Sequence, residues 1–138
     1  MENNTPLLAI TMGDPTGAGP EIVVKALADP EVQSLCTGLV IGDAETMRAA
    51  ADIVGIRMAV HPVSHPADIQ ADGHTLNVVD LKNVDVATLV RGRVDARAGK
   101  AAYEAIEKAT SLALQGEVDA IVTAPLNKDA LNQAGYSF

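Results

Sequence analysis

Residues 7–22 read Leu-Leu-Ala-Ile-Thr-Met-Gly-Asp-Pro-Thr-Gly-Ala-Gly-Pro-Glu-Ile. Leu7–Met12 is a short, nearly unbroken apolar run followed by turn residues, the pattern of a buried strand. Gly13 to Gly19 is a turn rich in glycine and proline. Pro20 then suits the first position of a helix, and Glu21 suits the positive end of its dipole. The helix is expected to run to about Ala28 and end before Pro30. A strand, a glycine turn and a helix in immediate succession open an α/β sheet.

The rest of the chain repeats that alternation. Gly38–Gly42 reads as a second strand. Asp43 is a good N-cap for a helix through Val54, with Gly55 as its C-terminal stop. Ile56–Val60 reads as a third strand, His61 to Gly73 as a loop broken by Pro62 and Pro66, and Thr75–Leu81 as a fourth strand. Lys82 to Val94 has no clear periodicity. From Ala96 to Gln115 the residues Ala98, Ala102, Ala105, Ile106, Ala109, Leu112 and Ala113 fall on one helical stripe, capped by Asp95 and closed by Gly116. The stripe is mostly alanine, so this helix can approach its neighbour closely. Val118–Thr123 reads as a continuous buried strand, and a short helix from about Lys128 to Ala134 ends at Gly135. The fold class is α/β, an open sheet with helices on its faces.

Composition agrees and narrows the function. With 138 residues, 48% hydrophobic and 20% charged, the chain fits one globular domain. A net charge of −8 excludes a nucleic-acid surface and disfavours anionic membranes. No stretch approaches the ~20 apolar residues of a membrane helix, and Leu7–Ile10 is too short for a secretory signal. The lone Cys36 cannot form an intramolecular disulfide, which suits a reducing compartment. The expectation is a soluble, cytoplasmic protein.

The glycine turn matches neither generic phosphate motif. A P-loop needs Gly-Lys-Ser/Thr where this chain has Gly19-Pro20-Glu21. The dinucleotide fingerprint needs a small residue where this chain has Ile22. Pro20 also removes one N–H that would face an anion. Taken alone, the segment reads as a structural turn.

Taken with a second stretch it says more. Ile10 to Glu21 resembles the opening signature of the 4-hydroxythreonine-4-phosphate dehydrogenase family, which usually reads GDPAGIGPE; Thr16 and Ala18 depart from it. Gly116-Glu117-Val118-Asp119-Ala120-Ile121-Val122-Thr123-Ala124-Pro125-Leu126-Asn127-Lys128 resembles that family's G-E/D-x-D-A-I-V-T-A-P-[IL]-N-K almost letter for letter, and Gly99–Glu104 resembles the segment ahead of it. The resemblance covers the whole chain. It implies an isocitrate/isopropylmalate dehydrogenase-like fold, two domains and a homodimer whose cleft the partner completes. It also implies oxidation of a small phosphorylated hydroxy acid with NAD or NADP and a divalent metal (Zn, Mg or Co). The substrate would be 4-phosphooxy-L-threonine of pyridoxal 5'-phosphate biosynthesis, or 4-phospho-D-threonate or -erythronate.

The same resemblance makes residues 1–138 the N-terminal portion of such an enzyme. The family's next motif, Pro-Gly-His-Thr-Glu, belongs where the chain reaches Phe138. The metal-binding histidines and the Lys, Asn and Arg that grip substrate lie further on, so no catalytic or metal residue is assigned here, and the chain alone is expected to be inactive and to expose an apolar sheet edge. His61, His65 and His74 fit no zinc spacing and read as exposed loop histidines; Cys36 reads as a small buried hydrophobe.

Ligands in α/β sheets sit beyond the carboxyl ends of strands. That leaves Gly13, Asp14, Asn127 and Lys128 as substrate- or cofactor-facing candidates. Lys128 offers a positive charge to a phosphate or carboxylate, and Asp14 can orient a polar partner. The plainer alternatives are turn capping for Asp14 and Asn127 and a solvated helix start for Lys128. Two other readings stand beside the dehydrogenase: a phosphate acyltransferase-like enzyme on a related fold, needing neither NAD nor metal, and a non-catalytic truncation product.

Overall fold

A computed structural model describes residues 5–137. Five parallel strands form one sheet in the order β3-β4-β2-β1-β5. The strands are β1 (Leu7–Thr11), β2 (Thr37–Gly42), β3 (Ala59–Val63), β4 (Thr75–Asp80) and β5 (Ala120–Thr123). The helices are α1 (Gly19–Ala28), α2 (Pro30–Leu35), α3 (Ala44–Val54), α4 (Ala96–Leu114) and α5 (Lys128–Gln133). The α/β class and the open sheet with helices on both faces are as expected.

Strand alternation divides the core in two. Ile10, Val40 and Val78 face α1 and α3, meeting Val23, Val24, Leu27, Met47 and Ala50. Ala9, Leu39, Ile41 and Val79 face α4, meeting Ala105, Ala109 and Leu112. Each fully buried Val, Leu or Ile contributes about 1.5–3 kcal/mol. The alanine stripe is buried as its spacing demands, with Ile106 and Ala113 half-buried at its margin.

Local caps form where the sequence places them. Thr46 N–H donates to Asp43 Oδ2 at 2.9 Å, Arg97 N–H to Asp95 Oδ1 at 2.8 Å, and Gly55 closes α3 with φ +70°. Three expectations need correction. The third strand is Ala59–Val63, not Ile56–Val60, because Ile56 N–H is taken by Ala51 O at 3.0 Å in the C-terminal cap of α3. His61 and Pro62 therefore lie in β3, not in a loop. Pro62 is tolerated because β3 is an edge strand, paired with β4 alone, where a missing N–H faces outward. The helix α2 was not anticipated; Asp29 caps it by accepting from Glu31 N–H at 2.8 Å, and Pro30 starts it. Lastly, β5 is shorter than Val118–Thr123 and exposed along its length, with Ile121 37% and Val122 44% accessible. It pairs only with β1, so its double-sided apolar pattern, the mark of an interior parallel strand, lies at an open edge.

The connections locate the functional end of the sheet. From β1 the chain passes through α1 and α2 to β2 on one side. From β4 it crosses through α4 over β2 and β1 to reach β5 on the other side. The strand order therefore reverses between β1 and β5, and a crevice outside their carboxyl ends is where open parallel sheets bind ligands.

Candidate functional site

The loops leaving β1 and β5 meet at that reversal point. Gly13 has φ +78°, and a Cβ there would stand 2.5 Å from Pro125 O. Only glycine allows both the backbone angle and the approach. The contact is sealed by Asp14 N–H donating to Pro125 O at 3.1 Å. Beyond it opens a crevice of about 170 Å³. It is lined by Asp14, Thr16 and Gly17 of the β1 loop, by Pro125, Leu126 and Asn127 of the β5 loop, and by Gly92 and Arg93.

Asp14 is 3% exposed. Its Oδ1 accepts from Thr16 N–H at 2.8 Å and from Thr16 Oγ1 at 2.7 Å, an Asx turn reinforced by the hydroxyl. Its Oδ2 is buried and has no hydrogen-bond partner. A buried carboxylate oxygen without a donor is costly, which makes Asp14 a polar group of the crevice lining that the described residues leave unsatisfied. Asn127 also lines the crevice, but its Oδ1 accepts from Ala130 N–H at 3.0 Å and caps α5. Lys128 is exposed at the first position of α5 and does not line the crevice. The structure thus brings Gly13, Asp14 and Asn127 together and leaves Lys128 on the neighbouring surface.

Thr16 and Arg93 were missed as site residues. Thr16 Oγ1 lies 2.8 Å from Arg93 O, and Gly92 N–H donates to Thr16 O at 2.7 Å. These bonds join positions 77 apart in sequence, beyond the reach of any local pattern. The Asp-Pro-Thr spacing did carry the signal for the Asx turn. The loop holding Arg93 is pinned on both sides, by the Arg91–Glu21 ion pair and by Arg97, which donates to Asp95 Oδ2 at 2.8 Å and to Thr88 Oγ1 at 2.7 Å. The hydrogen bond from Arg97 holds the Asp95 carboxyl below the ordinary aspartate range.

The histidines divide. His65 and His74 are exposed, and His61 is half-buried in β3. His65 Nδ1 accepts from Ala67 N–H at 3.0 Å, and its Nε2 lies 3.2 Å from Glu117 Oε1. Cys36 is half-buried rather than buried. Among the described residues, no group of three or more His, Cys, Asp or Glu side chains is placed to hold a metal ion. At about 170 Å³ the crevice is smaller than the roughly 300–1,000 Å³ of ligand pockets in general, and Pro20 offers no N–H to an anion, so the described residues do not by themselves hold a nicotinamide dinucleotide. No step through either group is derived from these residues. No helix among the described residues is long and apolar enough to cross a membrane.

A parallel sheet with a glycine turn at its reversal point places the chain in the broad class of open α/β folds that bind ligands outside the carboxyl ends of their strands. Within that class, residues 34–138 match the family described as pyridoxal phosphate biosynthetic protein PdxA, and the chain belongs to that family. A 4-hydroxythreonine-4-phosphate dehydrogenase of Desulforapulum autotrophicum is 42% identical over 138 residues, 100% of this chain and 41% of its own length. A relative from Symbiobacterium thermophilum, assigned provisionally as a D-threonate 4-phosphate dehydrogenase, is 46% identical over 96% of this chain and 40% of its own length. The crystal structure of a 4-hydroxythreonine-4-phosphate dehydrogenase from Burkholderia phymatum superposes with a TM-score of 0.95 at 41% identity, covering 99% of this chain and 41% of that one. The fold is accordingly part of the isocitrate/isopropylmalate dehydrogenase-like architecture. The chain spans about 40% of the length of the curated relatives it matches.

Proposed function

We propose that residues 1–138 form the N-terminal portion of a two-domain, homodimeric, cytoplasmic dehydrogenase that oxidises a phosphorylated hydroxy acid with NAD or NADP and a divalent metal. The substrate is 4-phosphooxy-L-threonine or the 4-phosphate of D-threonate or D-erythronate; dehydrogenases of 4-hydroxythreonine 4-phosphate and of D-threonate 4-phosphate are the ones named among the relatives cited. The observation that supports this reading is the family match over residues 34–138, with the crevice at the β1/β5 reversal as its place in the fold. In this role Gly13 lets the two loops meet, Asp14 orients a substrate hydroxyl, Asn127 holds the β5 loop, and Lys128 supplies positive charge beside the crevice. Hydride transfer requires groups beyond this chain, so the 138-residue polypeptide is inactive by itself.

The test is NADH absorbance. The full-length polypeptide, given NAD+, Mg2+ or Zn2+ and 4-phospho-D-threonate or 4-phosphooxy-L-threonine, is expected to produce NADH, and residues 1–138 alone to produce none. Turnover from the short chain, or none from the long one with any of these substrates, would overturn the proposal.

A further inference from the structure

Part of the crevice lining comes from a segment that leaves neither β1 nor β5. Residues 84–93 lie between β4 and α4, outside any helix or strand. The segment holds itself together. Thr88 and Leu89 N–H both donate to Asp85 O at 3.1 Å, Ala87 N–H to Asp85 Oδ1 at 3.2 Å, and Arg93 N–H to Val90 O at 3.2 Å. Its seat on the body is looser. Val84, Val86 and Leu89 line, with Ala49 and Ile53 of α3, a space of about 190 Å³, where a packed interior leaves few voids larger than a water. Two side-chain bonds tether this region to α4: Asn83 Nδ2 donates to Glu104 Oε1 at 3.0 Å, and Arg97 Nη1 to Thr88 Oγ1 at 2.7 Å. Just before it, Lys82 has φ +51°, alone among the described non-glycine residues in its positive φ; strained angles of this kind persist at switch regions.

At residues 91–93 the segment is fastened to the glycine turn and α1. Gly92 N–H donates to Thr16 O at 2.7 Å, Thr16 Oγ1 donates to Arg93 O at 2.8 Å, and Arg91 pairs with Glu21. These fastenings are of a kind that opens readily. The single hydrogen of the Thr16 hydroxyl also has Asp14 Oδ1 within 2.7 Å, so the hydroxyl keeps a partner when it releases Arg93 O. Arg91, Gly92 and Arg93 are exposed, so water takes up the groups they free. The Arg91–Glu21 pair is partly exposed and is screened by salt. We infer that residues 84–93 form a lid, tethered to α4 and latched to the glycine turn by Thr16 and Glu21, that swings as one body. Gly92 and Arg93 line the β1/β5 crevice, so unlatching takes that part of its lining away and widens it. The lid concerns how the crevice opens and not what enters it, so it stands or falls apart from the dehydrogenase reading.

The test is amide exchange with water, read residue by residue by NMR on the full chain. A lid that swings as one body breaks the Gly92 bond and spares the bonds inside the segment. In Glu21→Gln the Gly92 amide is expected to exchange about two- to fivefold faster, and in Thr16→Val about two- to tenfold faster. The double variant should exceed either, and Thr16→Ser should return the rate to within about twofold of the unaltered chain. Raising salt from about 0.05 M to about 0.5 M should speed Gly92 in the unaltered chain and in Thr16→Val but not in Glu21→Gln. The amides of Thr88, Leu89 and Arg93, and those of β1 and β2, should keep their rates throughout. A Gly92 rate unmoved by Glu21→Gln and by Thr16→Val overturns the latch. Thr88 and Leu89 quickening together with Gly92 shows a segment that unravels, and overturns the lid. Should Thr16→Val also loosen β1 and β2, its rate reports the fold, and the surface variant Glu21→Gln with its salt dependence decides alone.

Discussion

Gly99→Ala in α4 separates close packing from helix propensity, because the two predict opposite signs. In an exposed helix interior this change stabilises by about 0.5–1 kcal/mol. Here a Cβ would stand 2.1 Å from Ala130 O, 2.3 Å from Ala130 C and 2.7 Å from Leu131 N. All three atoms are backbone, so no rotamer change relieves the clash, and α5 must retreat by more than about 1 Å to restore ordinary contact. Overpacking of this kind costs about 1–3 kcal/mol, with Ala130 and Leu131 both fully buried at the contact. With all three contacts to backbone the upper half of that range applies, and after the propensity gain the net loss is about 1–2 kcal/mol. With an m-value of about 2 kcal/mol/M, the urea midpoint falls by about 0.5–1 M. Hydrogen exchange assigns the cause: the amides of Ala130, Leu131 and Ala134 should lose protection while those of β1 and β2 keep theirs. A midpoint that stays or rises, with α5 amides still protected, would refute the claim that α5 is held by backbone contact at Gly99.

Gly13→Ala faces both a positive φ and a Cβ 2.5 Å from Pro125 O; a loss of about 2–4 kcal/mol is expected by urea unfolding, and a loss below 1 kcal/mol would show that the β1 and β5 loops are not in forced contact. In the full-length polypeptide, Lys128→Ala should raise substrate KM several-fold with kcat unchanged, and an unchanged kcat/KM would remove Lys128 from the site. Asp72 and Asp95 titrate below the ordinary aspartate range, Asp72 because His74 N–H donates to it and Asp95 because Arg97 does. A depressed folded-state pKa gives stability that is present above the unfolded value and lost as pH falls through the folded one, so Tm should fall below about pH 4, and Asp72→Asn with Asp95→Asn should flatten that slope. Val122→Lys should reduce concentration-dependent association in sedimentation, because Ile121 and Val122 form an apolar open edge; association unchanged by the lysine would place the sticky surface elsewhere.

What could be read from the sequence was what the chain decides locally. Asp43, Asp95 and Asn127 cap the helices that follow them because a short oxygen-bearing side chain answers an N–H two or three residues on. The alanine spacing of α4 is a property of one helix and survived intact. Errors arose where a neighbour decides. Ile56 looks like the start of a strand until the cap of α3 takes its N–H. Pro62 looks like a loop residue until β3 is known to be an edge. The apolar pattern of β5 says buried on both faces, yet burial depends on what pairs with it. Of the four candidate residues, the fold brings Gly13, Asp14 and Asn127 together, a juxtaposition that a glycine turn reading as structural by itself does not carry. Lys128 was inferred from its charge, which fixes no direction.

Thr16 shows the limit most clearly, because its departure from the family signature is small on paper. Alanine to threonine adds one hydroxyl and one methyl, and by volume or propensity neither change matters in a turn. Its consequence depends on Arg93 O, brought to 2.8 Å only after β2, β3 and β4 have intervened. Two features argue that the hydroxyl is not incidental. It sits on an aspartate whose other oxygen is buried without a partner, so the bonds to Oδ1 are the ones that hold this carboxylate. It also fastens a loop that carries an unpaired cation to the rim of the same crevice. An alanine at this position would leave Asp14 held by Thr16's backbone N–H alone and the 91–93 loop held by the Gly92 bond and its flanking ion pairs. The crevice would persist, but the β1 loop would be joined to the 91–93 loop by one bond fewer. The substitution that reads as neutral in a signature is therefore the one that decides how firmly the β1 loop is tied to the 91–93 loop.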